Sequence, residues 1–362
     1  MEPSRRRSRL PSSGSPVLGR RRAGGARGLA LVAALWLLSS CGGRALPATG
    51  HAEPPPGGVA AFLSEAACPE LAPYQALDAF GKWTFPEQTY EAVRTSSALE
   101  CRRIEYASDG ARVSGLLLRP RHPGTRTWPV ILYARGGSGD FGALDALTRV
   151  DLSVLAQAGY VVLATNYRFT GALARQDEWG GKDLDDLMNL VPVARSLPYV
   201  DAAQLFLLGQ SRGGMMVYLA LKRGIAVKAA AVVAGVADLM SMASERPEFV
   251  TGTEDFDGWA KVWPNFAQRK DELLRERSAI FWPEQLSTPL LILHSRDDSR
   301  VPVRQSLLLA ERLLLNGKEF ELVIYGHDGH SLPLSRASRN DHIVRWFRAH
   351  DGRPQPPASP PR

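Results

Sequence analysis

Residues 204–223 read QLFLLGQSRGGMMVYLALKR, and this stretch decides the fold. Gln204 to Leu208 is a short apolar run of strand type, Met215 to Arg223 is helical in pattern, and Gly209-Gln210-Ser211-Arg212-Gly213-Gly214 lies between them. A G-x-S-x-G turn between a buried strand and a helix holds its serine on a strained bend. The residues two places to either side must then be small enough for the backbones to approach. Gly209 and Gly213 supply that smallness.

Working outward, short apolar runs alternate with helical stretches from about residue 101, the rhythm of βαβ units. Pro129 to Tyr133, Tyr160 to Thr165, Val227 to Val233, Pro289 to His294 and Phe320 to Tyr325 read as further strands. Asp183 to Ser196 and Val303 to Leu315 carry apolar residues at three- and four-residue spacing, as crossover helices do. Cys101 to Ala107 and Arg112 to Leu118 flank Ser108-Asp109-Gly110, a turn that makes them an antiparallel hairpin. The expected fold is α/β: a mostly parallel central sheet with helices on both faces and an antiparallel hairpin at its N-terminal side.

A serine hydroxyl needs a histidine base to attack, and the histidine needs a carboxylate to fix its tautomer. Asp297 and Asp298 follow the strand Pro289 to His294, and His327 and His330 follow the strand Phe320 to Tyr325. All stand at the C-terminal edge of the sheet, where open α/β sheets build their sites. Each alone is an ordinary loop residue; together with Ser211 they give the order Ser, Asp, His at three strand ends. His327 and His330 also have the H-x-x-H spacing of a metal pair, but no further ligands cluster with them. No metal and no organic cofactor is expected.

These residues resemble the catalytic domain of the prolyl oligopeptidase family of serine peptidases, on the α/β-hydrolase fold, over residues 101–350. The resemblance rests on Ser108-Asp109-Gly110 leading to Gly115-Leu116-Leu117, on Leu197 to Asp201, on the turn at Ser211, on His294 to Pro302 and on Tyr325 to His330. The family's spacing selects Asp298 over Asp297 and His330 over His327. It implies Ser211 as nucleophile, His330 as base and Asp298 as its orienting acid. An oxyanion hole is expected from the amide of Arg212 and a second donor in the loop Arg135-Gly136-Gly137-Ser138-Gly139. Two positions depart from the family: Arg135 stands where Tyr or His is common, and Arg212 where an aromatic residue is. Arg135 is open to three readings: a donor to the oxyanion, a ligand for a substrate carboxylate, or a surface arginine.

The formal net charge of +7 resides entirely in residues 1–40, where eight arginines face one acid, Glu2. The remainder is neutral, which removes the case for nucleic-acid binding. Arginines followed by the apolar run Gly28 to Leu38 have the anatomy of an export signal, too short to span a bilayer, which takes ~20 residues. Leu38-Ser39-Ser40-Cys41 resembles the lipobox of bacterial lipoproteins, which implies lipidation of Cys41 and a membrane contact through that anchor. Residues 41–58 then read as a tether, 59–100 as a helical extension, 101–350 as the catalytic domain, and 351–362 as a disordered proline-rich tail. Cys68 and Cys101 are open to two readings, a disulfide or two buried thiols. Residues 240–282, rich in Trp and Phe, read either as a cap beside the site or as a surface excursion.

The expected protein is an exported, lipid-anchored serine hydrolase of the cell envelope acting on peptides. Ester hydrolysis on the same fold, and a catalytically inactive surface scaffold, are the alternatives. Family peptidases usually carry an N-terminal β-propeller, for which the residues between tether and first strand are too few. That departure bears on specificity.

Overall fold

The computed structural model describes residues 62–121 and 127–352. The leader, Cys41, the tether and residues 353–362 of the tail lie outside these residues. No helix among the described residues is long and apolar enough to cross a membrane.

The stretch around Ser211 folds as its sequence dictates, with β6 (Val200–Gln210) running through Ser211 into α6 (Arg212–Lys222). Eight other strands flank it: β1 (Phe62–Ala67), β2 (Leu99–Ser108), β3 (Ala111–Pro120), β4 (Trp128–Ala134), β5 (Val161–Thr165), β7 (Ala229–Val233), β8 (Leu290–Ser295) and β9 (Phe320–Tyr325). Their order in the sheet is β1-β2-β3-β5-β4-β6-β7-β8-β9. From β5 to β9 every pair is parallel; β1, β2 and β3 are antiparallel, joined to β5 through β3. Asp109 and Gly110 connect β2 to β3 with φ of 44° and 80°, the positive pair that a two-residue hairpin turn requires.

Strand alternation divides the core between two faces. Val130, Leu132, Leu205, Leu207, Val232 and Ile292 bury on one, and Ile131, Phe206, Leu208, Ala231, Val233 and Leu291 on the other. Among the described residues the α-helices are α1 (Ala79–Thr84), α2 (Glu87–Arg94), α3 (Ala146–Gln157), α4 (Lys182–Met188), α5 (Leu190–Ser196), α6, α7 (Leu239–Glu245), α8 (Glu248–Thr251), α9 (Trp259–Val262), α10 (Phe266–Glu276), α11 (Arg304–Leu315) and α12 (Arg336–Ala349). The chain leaves β4 toward β5 on one side and reaches β6 on the other. The C-terminal ends of β4 and β6 thus form the switch point where such sheets open a crevice.

Two expectations are corrected. Residues 59–100 are not wholly helical: Phe62–Ala67 is a strand on the edge of β2, with Ser64 opposite Glu105. Its sequence, FLSEAA, favours a helix; the unpaired backbone edge of β2 overrides that weak preference. The single helix expected over Asp183 to Ser196 is two helices meeting at Asn189, with Pro192 in the first turn of α5, where a missing N–H costs nothing.

Cys68 and Cys101 are joined by a disulfide, closing a 33-residue separation. In Cys68→Ser with Cys101→Ser, urea denaturation is expected to show a loss of about 3 kcal/mol. Reduced wild-type protein is expected to match the double variant; coincident unfolding of oxidised protein and variant would contradict this.

Candidate active site

The turn at Ser211 is built by close backbone approach. Ser211 has φ 57° and ψ −124°, outside the range an L-residue adopts freely. Its N–H donates to Val233 O at 2.8 Å, and its carbonyl accepts from Gly214 N at 2.8 Å and Val236 N at 3.3 Å. A Cβ at Gly209 would lie 2.2 Å from Gly213 O, and one at Gly213 would lie 2.0 Å from Ala134 O. Neither position admits a side chain, so Ser211 is pressed outward into a cavity of about 590 Å³ that His330 also lines.

The structure separates the two acid–histidine pairs that the local sequence leaves open. Asp298 Oδ2 accepts from His330 Nδ1 at 2.7 Å, with the Asp298 side chain wholly buried and that of His330 11% exposed. Asp297 pairs with His327 at 3.0 Å on the surface, where the His327 side chain is 83% exposed. With Nδ1–H donating to Asp298, His330 keeps Nε2 free to accept a proton.

Asp298 has further partners that sequence reasoning missed. Its Oδ1 accepts from the amides of Arg300 and Val301 at 2.8 and 3.0 Å. Buried His294 places Nε2 3.1 Å from Asp298 Oδ2 and 2.9 Å from Val301 O, with Ser306 Oγ 2.7 Å from its Nδ1. The Val301 carbonyl can only accept, so Nε2 carries a proton. Burial would raise the Asp298 carboxyl, but hydrogen bonds from His294, His330 and the Val301 amide outweigh it and hold the group well below the usual range. The sequence shows His294 as the start of the motif His294 to Pro302, but not its contact with Asp298.

The histidine loop is shaped by Asp328, whose carboxylate accepts from the amides of Gly329, Leu334 and Ser335. Gln210 Nε2 donates to Ser331 Oγ at 2.6 Å, joining the residue before Ser211 to the residue after His330.

Arg135 is not a surface arginine, although it lines the same cavity as Ser211. It is 1% exposed, and its guanidinium donates to the carbonyls of Asn166, Gly136, Phe141 and Gly139. These bonds make the side chain a brace of the loop after β4. Burial, with the Arg212 charge beside it, pushes it down to about 10, so it remains charged at neutral pH. The Arg212 side chain turns inward as well, pairing with Asp177 at 2.6 Å and with Asp183, and donating to Gly137 O at 3.0 Å. Asp177 in turn accepts from Gly139 N at 2.8 Å and Ser138 Oγ at 3.2 Å. Burial raises the Asp177 carboxyl, with Arg212 pulling against it and Asp183 adding to it. Asp177 and Asp183 were not legible as site residues; the one available signal is that an arginine buried by the turn demands a counter-charge.

The groups able to face an oxyanion are therefore backbone amides. Arg212 is the first residue of α6, where N–H groups have no intrahelical acceptor. Gly136 lies so close to Ser211 that a Cβ on it would stand 3.2 Å from Ser211 Cβ. The segment after β7 also reaches the cavity, through Met242, Arg246 and Phe249. Phe249 packs on Trp179 at 5.0 Å and Trp259 at 5.5 Å, and Trp263 Nε1 donates to Glu178 O at 2.7 Å. It forms a cap wall rather than a free excursion.

A mostly parallel sheet with a strained serine between strand and helix, and an aspartate–histidine pair at the next strand ends, defines an α/β-hydrolase. The sequence matches the prolyl oligopeptidase family over residues 147–352, and the chain belongs to that family. It is 31% identical over 265 residues to the uncharacterized peptidase YuxL of Bacillus subtilis, covering 68% of this chain and 38% of that protein. To the uncharacterized peptidase YtmA of the same organism it is 27% identical over 243 residues, covering 67% of this chain and 89% of that protein. The acylaminoacyl peptidase of Pyrococcus horikoshii has the same fold, with a TM-score of 0.60 and 22% identity over 73% of this chain and 44% of that one.

The depressed Asp298 carboxyl makes a pH prediction. A carboxyl lower in the folded than in the unfolded state adds stability above the unfolded value of about 3.9 and loses it as pH falls further. Asp298→Asn is expected to lower Tm at pH 7 and to fall short of wild type by progressively less below pH 4. A gap in Tm that does not narrow on acidification would show that the carboxylate charge is not what is held.

Proposed function

We propose that this protein is a serine peptidase of the prolyl oligopeptidase type. The observation that carries the reading is the buried 2.7 Å bond between Asp298 and His330, on the cavity where Ser211 stands at positive φ. Ser211 Oγ attacks the scissile carbonyl carbon while His330 Nε2 takes its proton, and Asp298 holds the imidazole in that tautomer. The charge on the carbonyl oxygen is met by the amides of Arg212 and Gly136. As the C–N bond breaks, His330 returns the proton to the leaving amine, leaving an acyl group on Ser211. Water repeats the sequence to release the acid.

The proposed setting is the cell envelope, with Cys41 as lipid anchor. The lipobox-like Leu38 to Cys41 supports it, as does the disulfide between Cys68 and Cys101, a bond that persists in oxidising compartments.

The test of activity is a matched pair, one acyl group presented as a proline-containing peptide anilide and as an activated ester. Turnover of the anilide, lost about 10⁴-fold or more in Ser211→Ala, is the expected result. Turnover of the ester alone would make the protein an esterase, and failure of Ser211 to react with a fluorophosphonate would leave a binding scaffold. For the anchor, Cys41→Ala is expected to move the protein from the membrane fraction to the soluble one; an unchanged distribution would remove the lipid reading.

A further inference from the structure

The segment between the two cysteines precedes the stretch that matches the family, residues 147–352, yet it builds part of the cavity: Phe80, Thr84 and Phe85 line it. It is held as a flap. The Cys68–Cys101 disulfide ties its base, and Leu71, Phe85, Tyr90 and Val93 form a small core of their own against Val150 of α3. Arg149 Nη1 donates to Pro69 O at 2.7 Å, and the Arg336 guanidinium lies 4.1 Å from the Phe85 ring centre while donating to Thr84 O.

With Phe85, the residue after α1, turned inward, α1 presents its own aromatic residues outward. Phe80 is 61% and Trp83 58% exposed, their ring centres 6.1 Å apart. A Cβ on Gly329 would lie 4.0 Å from the Trp83 ring, which places Trp83 beside the loop that carries His330. Phe141, 66% exposed, lines the same cavity as Phe80, and Leu334, 72% exposed, follows in the His330 loop. Single exposed apolar residues are ordinary; several large ones around the mouth of one cavity mark a binding surface.

The charged groups nearby are engaged. Asp145 accepts from the amide and hydroxyl of Thr148, Asp151 is paired with Arg336 and Arg339, and Arg300 lies over the Phe141 ring at 5.7 Å. The surface is continuous with the cavity at Ser211 and offers apolar contact without a free carboxylate.

We propose that this disulfide-tethered aromatic flap is a substrate subsite that receives an apolar side chain of the peptide cleaved at Ser211. The proposal rests on the peptidase reading. Phe80 and Trp83 would determine specificity without taking part in the bond-breaking step.

The experiment uses internally quenched peptides in which each position on both sides of the scissile bond is varied among Phe, Leu, Ala and Asp. Wild type is expected to favour Phe or Leu over Ala and Asp at one position by about tenfold or more in KM. Phe80→Ser with Trp83→Ser is expected to bring the ratio of Phe or Leu over Ala peptides down toward one, while Ser211 still labels with a fluorophosphonate and Tm is kept. Phe80→Tyr with Trp83→Phe is expected to retain the preference. A preference unaltered in the serine variant overturns the proposal, as does an equal loss on every peptide. So does a variant whose sole change is lost liposome binding or lost self-association, which would assign the surface to a bilayer or a second copy. If wild type cleaves no peptide, the peptidase reading itself fails and the flap proposal falls with it.

Discussion

The active-site end of this molecule depends on the absence of side chains at three points of backbone contact. Gly209 meets Gly213, Gly213 meets the carbonyl of Ala134 at the end of β4, and Gly136 lies against Ser211. These contacts bring the strained turn after β6 against the loop after β4, where the chain switches direction through the sheet. The strain at Ser211 is held by three backbone hydrogen bonds, one to β7, one to Val236 beyond it and one within its own helix. Once that junction is made, the serine hydroxyl can only project into the cavity, and the amide of Arg212 opens beside it.

A second layer of order comes from buried charge. Arg135 and Arg212 both turn into the protein. There they hold the loop 135–142 by its carbonyls, while Asp177 holds it by an amide and a hydroxyl. A buried guanidinium is tolerated only where its charge is met, and Asp177 and Asp183 meet that of Arg212. Removing one member of this set would leave the others buried and unmatched. The loop geometry is therefore coupled to all four charges. Asp298 is managed in the same way: its burial is offset by two histidines and two amides, and the imidazole it orients stands next to solvent.

Much of this architecture was legible along the chain. The nine strands include all the apolar runs read from residue 101 onward, with ends shifted by a few residues at most sites, because buried strands must be continuous in apolar residues. The strand Phe62–Ala67 was hidden, since alanine-rich sequence carries no strand signal and only the edge of β2 makes it extended. Asp177 and Asp183 were hidden for a related reason. Each is an unremarkable polar residue until a distant segment covers it.

The sequence by itself determined the strand–turn–helix at Ser211, the parallel rhythm of the sheet, the antiparallel hairpin and the chain order Ser, Asp, His, because these are encoded in local periodicity and in glycine spacing. Only the tertiary structure decided the direction of Arg135, the burial of the Asp298–His330 pair against the exposure of Asp297 and His327, and the fold of the N-terminal segment into one wall of the site. The physical reason is desolvation. Whether a charge is free, paired or confined depends on which remote surfaces exclude water from it, and that is set when the sheet, its helices and the flap close together.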